Sequence, residues 1–156
     1  MKASNKGFTL IELLAVIVIL AVIALIATPL IMGTITKAKK NSAKDSAYGY
    51  MKAVEQAIGE AQVDDPNGAF DISGKTLKVA TKDSQKGKSV QLGTKSSSGA
   101  WTAISPAVSI DVNYKGSEPE DGGLLEYDEN GRVKAGTLKI SGYTITIEND
   151  IAISVS

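Results

Sequence analysis

A single carboxylate beside a long apolar stretch is the strongest chemical feature of this 156-residue sequence. Glu12 directly precedes fifteen consecutive apolar residues, 13–27. A carboxylate in lipid is expensive, and a helix N-terminus recovers only about 0.3–1 kcal/mol of that cost. The next cation along the chain is Lys37, about 37 Å away on a helix. Glu12 therefore needs another positive partner, either an upstream lysine or an α-amino group created by cleavage just before Phe8.

Composition excludes much of the remaining chemistry. The chain has no Cys and no His, which rules out disulfides, thiolate metal sites and every Ser-His-Asp arrangement. An enzyme would depend on carboxylates, Lys, Ser or Tyr alone, and no phosphate-cradling or nucleophile motif is present. Formal net charge is zero, with 17 basic and 17 acidic residues, so no bulk polyanion-binding role is forced. We expect no enzymatic activity, no cofactor and no metal site.

Charged groups further along the chain could bind ions or nucleic acid, but each has a simpler interpretation. Residues 128–131 contain part of a calcium-loop pattern without its later glutamate, so we interpret them as a turn. A loose divalent-cation site at Glu118, Glu120 and Asp121 is a disfavoured alternative. A basic stretch could contact DNA, yet no aromatic or Arg residue interleaves it, and we favour a solvated face. Its lysines are Lys75, Lys78, Lys82, Lys86, Lys88 and Lys95.

A long helix must position Glu12. Residues 8–32 form about 37 Å of helix, enough to cross a hydrocarbon core of about 30 Å with some tilt. We predict a transmembrane helix over 8–33, bent or locally melted at Pro29 and Gly33, and an amphipathic continuation over 34–61. A signal-anchor helix and a cleaved secretory signal peptide are the simpler alternatives. The second is disfavoured because apolar residues continue past Pro29 without a convincing cleavage site.

The rest of the chain predicts a sheet. Residues 62–106 are weakly patterned and are predicted to be a connecting region, with short strands near 70–72, 77–79 and 90–92. Alternating residues in 107–156 predict strands at 108–114, 125–127, 133–140, 143–147 and 151–155, with a bulge at Gly136. Tight turns between them indicate an antiparallel β-meander of about four strands, covered by the amphipathic helix. Trp101, Tyr48 and Tyr50 are expected to pack. The fold class is therefore α+β.

Residues 6–16, KGFTLIELLAV, resemble the processing motif of type IV pilins and pseudopilins, and the preceding residues resemble their short, Lys-bearing leader. The resemblance covers about forty residues and includes Pro29, where many members have a kinking proline. It implies that leader 1–7 is cleaved between Gly7 and Phe8 by a membrane-embedded prepilin peptidase, which also methylates the Phe8 amine. It further implies that Glu12 pairs with that amine on a neighbouring subunit during assembly, and that the fold is pilin-like.

The function implied by this resemblance is structural. The subunit would start as a single-pass precursor in the cytoplasmic membrane and polymerise through its N-terminal helix into an extracellular filament for adhesion, motility or DNA uptake. Its partners would be other copies of the chain, the prepilin peptidase, and an assembly platform with its ATPase. The alternatives are a pseudopilin of a type II secretion or competence machine, and a membrane-anchored binding module that is never processed.

The lysines near the apolar stretch conflict with this orientation. Four of them follow the stretch, whereas the leader contains only two; the four are Lys37, Lys39, Lys40 and Lys44. Positive charge alone would therefore place the C-terminal side in the cytoplasm. The resemblance implies the opposite orientation, and we follow it because the spacing of Gly7, Phe8 and Glu12 is the more specific pattern.

Overall fold

The computed structural model describes residues 7–65, 72, 75–79, 88–105, 107–120, 122–128, 130–149 and 151–156. Helix α1 spans Leu10–Val63, within two residues of the predicted helix at each end. Asp64 continues its hydrogen bonding with a 3.0 Å bond from its N–H to the Glu60 carbonyl. Eight strands follow, which are β1 (Thr76–Val79), β2 (Ser89–Lys95), β3 (Trp101–Ala103), β4 (Ser109–Asp111), β5 (Leu124–Tyr127), β6 (Val133–Ile140), β7 (Tyr143–Glu148) and β8 (Ile151–Val155).

The chain divides into two compact units, of which the first ends at Lys39. In the described part of this unit the large apolar side chains of α1 are exposed, including Leu10 at 83% and Leu25 at 77%. Among the described residues, α1 is the one helix long and apolar enough to cross a membrane. The helix is continuous through Pro29 and Gly33, so the predicted local melting is absent there. A bend at these two residues stays a prediction.

The second unit, Lys40–Ser156, contains the sheet. Its strands pair in the order β3-β2-β1-β5-β6-β7-β8, and every pair is antiparallel. Strand β4 pairs with β2 as well, so that β3 and β4 lie along consecutive parts of the same edge of β2. The predicted meander is confirmed as β5 to β8, four consecutive strands joined by short turns. The α+β fold class is likewise confirmed.

The predicted bulge is present in β6, but not at Gly136. Glu126 pairs with Ala135 and Tyr127 pairs with Val133, which leaves Lys134 as the extra residue. An extra residue at this point reverses the alternation of the strand. Val133 is therefore buried before the bulge and Leu138 after it, although the two positions are out of phase.

Residues 62–106 contribute more regular structure than a connecting region would. Strands β1, β2 and β3 come from this segment and belong to the same sheet as the meander. The predicted short strands at 77–79 and 90–92 coincide with β1 and β2, whereas the one at 70–72 lies almost entirely outside the described residues. The predicted strand at 108–114 shortens to Ser109–Asp111 and pairs with β2, outside the meander.

One side of α1 covers the sheet and completes the core. Seven helix residues are buried and pack in one cluster with the buried residues of the strands; they are Ala43, Ala47, Tyr50, Met51, Val54, Ala57 and Ile58. The Tyr50 and Tyr114 rings meet edge to face with centroids 5.6 Å apart. The Tyr114 hydroxyl donates to the Ser46 carbonyl at 3.0 Å, which ties the segment after β4 to the helix. Tyr50 therefore packs, as predicted.

Tyr50→Phe is expected to raise the free energy of unfolding by about 1 kcal/mol. The Tyr50 hydroxyl is buried and has no hydrogen-bond partner among the described residues, so its desolvation is uncompensated. Burial, with a contribution from the Glu118 charge, raises the pKa of Tyr50. Above pH of about 10 the unfolded chain loses this proton first, so native stability falls there. Thermal unfolding in detergent at pH 7 and pH 11 measures the loss of stability on raising the pH, and this loss should be smaller in the variant than in the native chain. An equal loss in both proteins would show that Tyr50 does not contribute to the pH dependence.

Candidate functional site

The Glu12 carboxylate closes the N-terminus of α1. Its Oε2 accepts hydrogen bonds from the Thr9 backbone N–H at 2.8 Å and from the Thr9 hydroxyl at 2.9 Å. The Thr9 Oγ1 in turn accepts the Glu12 backbone N–H at 3.2 Å. This reciprocal arrangement is a capping box, in which Thr9 is the N-cap and Glu12 the third helical residue.

Thr9 is the site residue that the sequence reasoning missed. A threonine followed three residues later by glutamate, before an apolar run, is the sequence pattern of a capping box. Thr9-Leu10-Ile11-Glu12 matches this pattern. Glu12 thus has a local role in starting the helix, which its position in an apolar segment did not indicate.

No cation contacts Glu12 in the part of the chain that the structure describes. Its hydrogen bonds there are with Thr9, and both residues are exposed. The leader lysines, Lys2 and Lys6, lie outside the described residues, so they remain an alternative partner. The capping box satisfies the acceptor capacity of Glu12 only in part, since a carboxylate has about four acceptor positions. Room remains for an external donor at this carboxylate.

The backbone at Gly7 and Phe8 is open. A Cβ placed on Gly7 would have no heavy atom within 4 Å, and its φ is not in the left-handed region. Nothing in the surrounding structure therefore requires glycine at this position. Phe8 is 92% exposed and both residues precede the first helical residue, Leu10. The backbone between Gly7 and Phe8 is therefore exposed, and the described fold places no demand for glycine there.

The polar side chains inside the apolar part of α1 are internally satisfied. The hydroxyls of Thr28, Thr34 and Thr36 donate to carbonyls one turn earlier, at 2.7, 3.3 and 3.0 Å. Such bonds remove the cost of placing a hydroxyl in lipid. Glu12 differs, because its charge requires a counter-ion that α1 does not supply.

Residues 2–28 match the family model described as the prokaryotic N-terminal methylation motif. The chain has the class III leader of type IV pilins and pseudopilins. The match includes Gly7, Phe8, Thr9 and Glu12, and it ends just before Pro29. No curated protein and no solved structure matches the chain. The methylation motif supports a type IV pilin-like or pseudopilin protein, and together with the exposed apolar helix it is consistent with a membrane-anchored precursor.

Two acidic residues considered for a cation site, Glu120 and Asp128, have protein partners. Glu120 accepts the Gly142 backbone N–H at 2.9 Å and pairs with Lys139 at 3.0 Å. Asp128 accepts the backbone N–H groups of Asn130 and Arg132, each at 2.9 Å, which closes the predicted turn. Asp121 lies outside the described residues. Among those described, no group of three or more acidic, His or Cys side chains could hold a metal ion.

Two described lysines of the basic stretch, Lys78 and Lys95, make separate contacts within the sheet. Lys95 pairs with Glu126 at 2.5 Å, across the intervening strand β1. The Lys78 ammonium lies 5.1 Å from the centre of the Trp101 ring, whose Nε1 donates to the Thr76 carbonyl at 3.3 Å. Trp101 therefore anchors β3 to the sheet, as expected of it. Lys82 and Lys86 lie outside the described residues, and the described lysines give no support to DNA capture.

Proposed function

We propose that this protein is a structural subunit of a type IV pilus. The precursor is held in the cytoplasmic membrane by α1, cleaved between Gly7 and Phe8, and methylated on the new Phe8 amine by the prepilin peptidase. The processed subunit then polymerises through its N-terminal helix, driven by an assembly platform and its ATPase, into an extracellular filament. The match of residues 2–28 to the methylation motif is the observation that supports this proposal most strongly.

The pairing of Glu12 with a processed terminus follows from its charge. A free α-amine with a reference pKa of about 7.7–8.0 is mostly cationic at neutral pH. Glu12 and this amine are each costly alone in an apolar filament core and tolerable only together. The open acceptor positions of Glu12 support a contact with the Phe8 amine of a neighbouring subunit. Such a pair fixes the register between helices more than it adds net stability.

The exposed apolar helix supports polymerisation through the same segment. In the precursor its side chains contact lipid, and in the filament they contact neighbouring helices. This exchange releases little apolar surface from water, so packing and polar contacts determine the association. Gly33 is suited to close helix packing. The space that a Cβ would occupy there is free of other atoms of the chain, so a neighbouring helix can approach the backbone at this position.

The mass of the mature protein tests the processing step. Co-expressed with a prepilin peptidase, the chain is expected to lose residues 1–7 and gain one methyl group. Gly7→Val should keep the entire leader, because the new side chain blocks the close approach of the peptidase to the backbone. Gly33→Val is the matched control and should be cleaved normally. Intact-mass spectrometry measures all three proteins, and an uncleaved native chain would favour the unprocessed, membrane-anchored binding module.

A pseudopilin of a secretion or competence machine shares every feature of the N-terminal site. Filament length and subunit abundance distinguish the two functions. Long surface filaments containing this chain as the main component support a pilin, whereas short, scarce assemblies confined to the envelope would support a pseudopilin.

A further inference from the structure

Four lysines follow the apolar part of α1 within eight residues, 37–44, and we call this stretch the lysine segment; its members are Lys37, Lys39, Lys40 and Lys44. No acidic residue occurs between Glu12 and the lysine segment, and Asp45 is the first one after it. Lys37 and Lys39 are exposed, while Lys40 and Lys44 are half-buried. Within the described ranges, none of the four forms an ion pair. The lysine segment is therefore a block of positive charge without ion-pair partners among the described residues.

The position of the lysine segment along α1 matches the polar layer of a bilayer. Ile35, 48% exposed, is the last exposed large apolar residue before the lysines. Lys37, Lys39 and Lys40 follow it by about 3, 6 and 8 Å of helix. The headgroup layer beyond the hydrocarbon core is about 5–8 Å thick on each side. With flexible stems of four carbons, these three ammonium groups reach the phosphates of that layer when the apolar segment spans the core.

We infer that the lysine segment binds the headgroups of anionic phospholipids at the membrane face where the apolar part of α1 ends. Lysine clusters next to a transmembrane helix attract negatively charged headgroups, and this attraction falls off within a Debye length. The positive charge of the lysine segment and its continuity with the apolar segment favour a lipid over an acidic partner protein. The inference rests on the membrane-anchored stage of the proposed function, and is independent of cleavage and polymerisation.

This binding is compatible with the orientation that the positive charges alone would disfavour. Lysines beyond a transmembrane helix favour a cytoplasmic location for that side when no other contact holds them. Anionic headgroups occur at either face and would retain the lysine segment there. In the orientation of a pilin precursor, the lipid is in the leaflet facing away from the cytoplasm. Removal of a subunit into a filament would then have to break these contacts.

Lipid selectivity of the full-length chain tests the inference. The protein is inserted into phosphatidylcholine vesicles containing a trace of spin-labelled phosphatidylglycerol or spin-labelled phosphatidylcholine, and electron paramagnetic resonance measures the motionally restricted fraction of each. We expect at least about a threefold preference for phosphatidylglycerol in low salt, falling towards equality in about 0.5 M salt. The triple variant Lys37→Gln, Lys39→Gln, Lys40→Gln should lose the preference, and glutamine preserves helix propensity.

A second triple variant, Lys88→Gln, Lys115→Gln, Lys134→Gln, removes the same net charge from the second unit and should keep the preference. An unchanged lipid preference in the first variant would overturn the inference. An equal loss of preference in both variants would also overturn it, because the preference would then depend on the net charge of the protein and not on the lysine segment. Resistance to carbonate extraction shows whether each protein is inserted. Failure of the native chain to insert would overturn the proposed membrane stage together with the inference, whereas insertion without lipid preference would overturn the inference alone.

Discussion

Glu12→Gln is expected to abolish filament formation while leaving cleavage after Gly7 intact. Glutamine preserves the acceptor that the capping box requires, since Glu and Gln both serve at the third helical position. The helix start and the peptidase site therefore remain, and only the negative charge is lost. Glu12→Gln thus separates the helix-capping role of Glu12 from its proposed pairing with the Phe8 amine, whereas Glu12→Ala would remove both.

The expected effect is large because the partner is left unpaired. In the filament core proposed above, loss of Glu12 would strand the Phe8 ammonium of the neighbouring subunit in an apolar environment. Removing one member of a buried ion pair costs about 3–5 kcal/mol. At about 1.4 kcal/mol for each tenfold change, association of each subunit weakens by a factor of about 10² to 4 × 10³. Electron microscopy of sheared surface filaments, with intact-mass measurement of the membrane fraction, checks both outcomes.

Thr9→Ala is the matched control for the capping role. It removes the hydroxyl contacts with Glu12, which costs about 1 kcal/mol at the helix N-terminus, but retains the carboxylate. Filaments should still form, with at most a modest reduction. Should Glu12→Gln assemble as well as the native chain, the carboxylate would be a helix cap only, and the proposed pairing with the Phe8 amine would be wrong.

The features that the sequence predicted correctly depend on local patterns. Both ends of α1 were predicted to within two residues, because an apolar run near its start and a turn sequence after its end are local features of the sequence. The meander was predictable because its strands show stretches of alternation and consecutive strands are joined by tight turns. Ser141 and Gly142, both with positive φ, form one such turn between β6 and β7. The methylation motif was predictable because its residues are contiguous in the sequence.

The features that were missed depend on contacts between distant residues. Strand β3 was not predicted, because it has only three residues and forms through its pairing with β2, with little alternation of its own. The bulge lies at Lys134 because Tyr127 of β5 pairs with Val133 of β6. This pairing between two strands could not be inferred from the sequence of β6 alone. Gly136 was interpreted as the bulge residue. In the structure it is instead the position where β5 lies too close to leave room for a side chain.

Gly136→Ala is expected to destabilise the second unit strongly. Gly136 pairs with Leu125 on one side and with Ile147 on the other, in the middle of the meander. A Cβ there would lie 2.6 Å from the Leu124 carbonyl oxygen and 2.8 Å from Leu125 Cδ2. The first contact is with backbone, so relief requires separating β5 from β6. Overpacking of this kind costs about 1–3 kcal/mol, which lowers the melting temperature by on the order of 10 °C.

Gly59→Ala in α1 is the matched control, because the same substitution there should have the opposite sign. A Cβ at Gly59 would meet no atom within 4 Å, and alanine is about 1 kcal/mol better than glycine within a helix. Thermal unfolding of the full-length chain in detergent, followed by the near-ultraviolet circular dichroism of Trp101 and the tyrosines, measures both variants. Equal melting temperatures for Gly136→Ala and the native chain would mean that β5 and β6 yield at little cost.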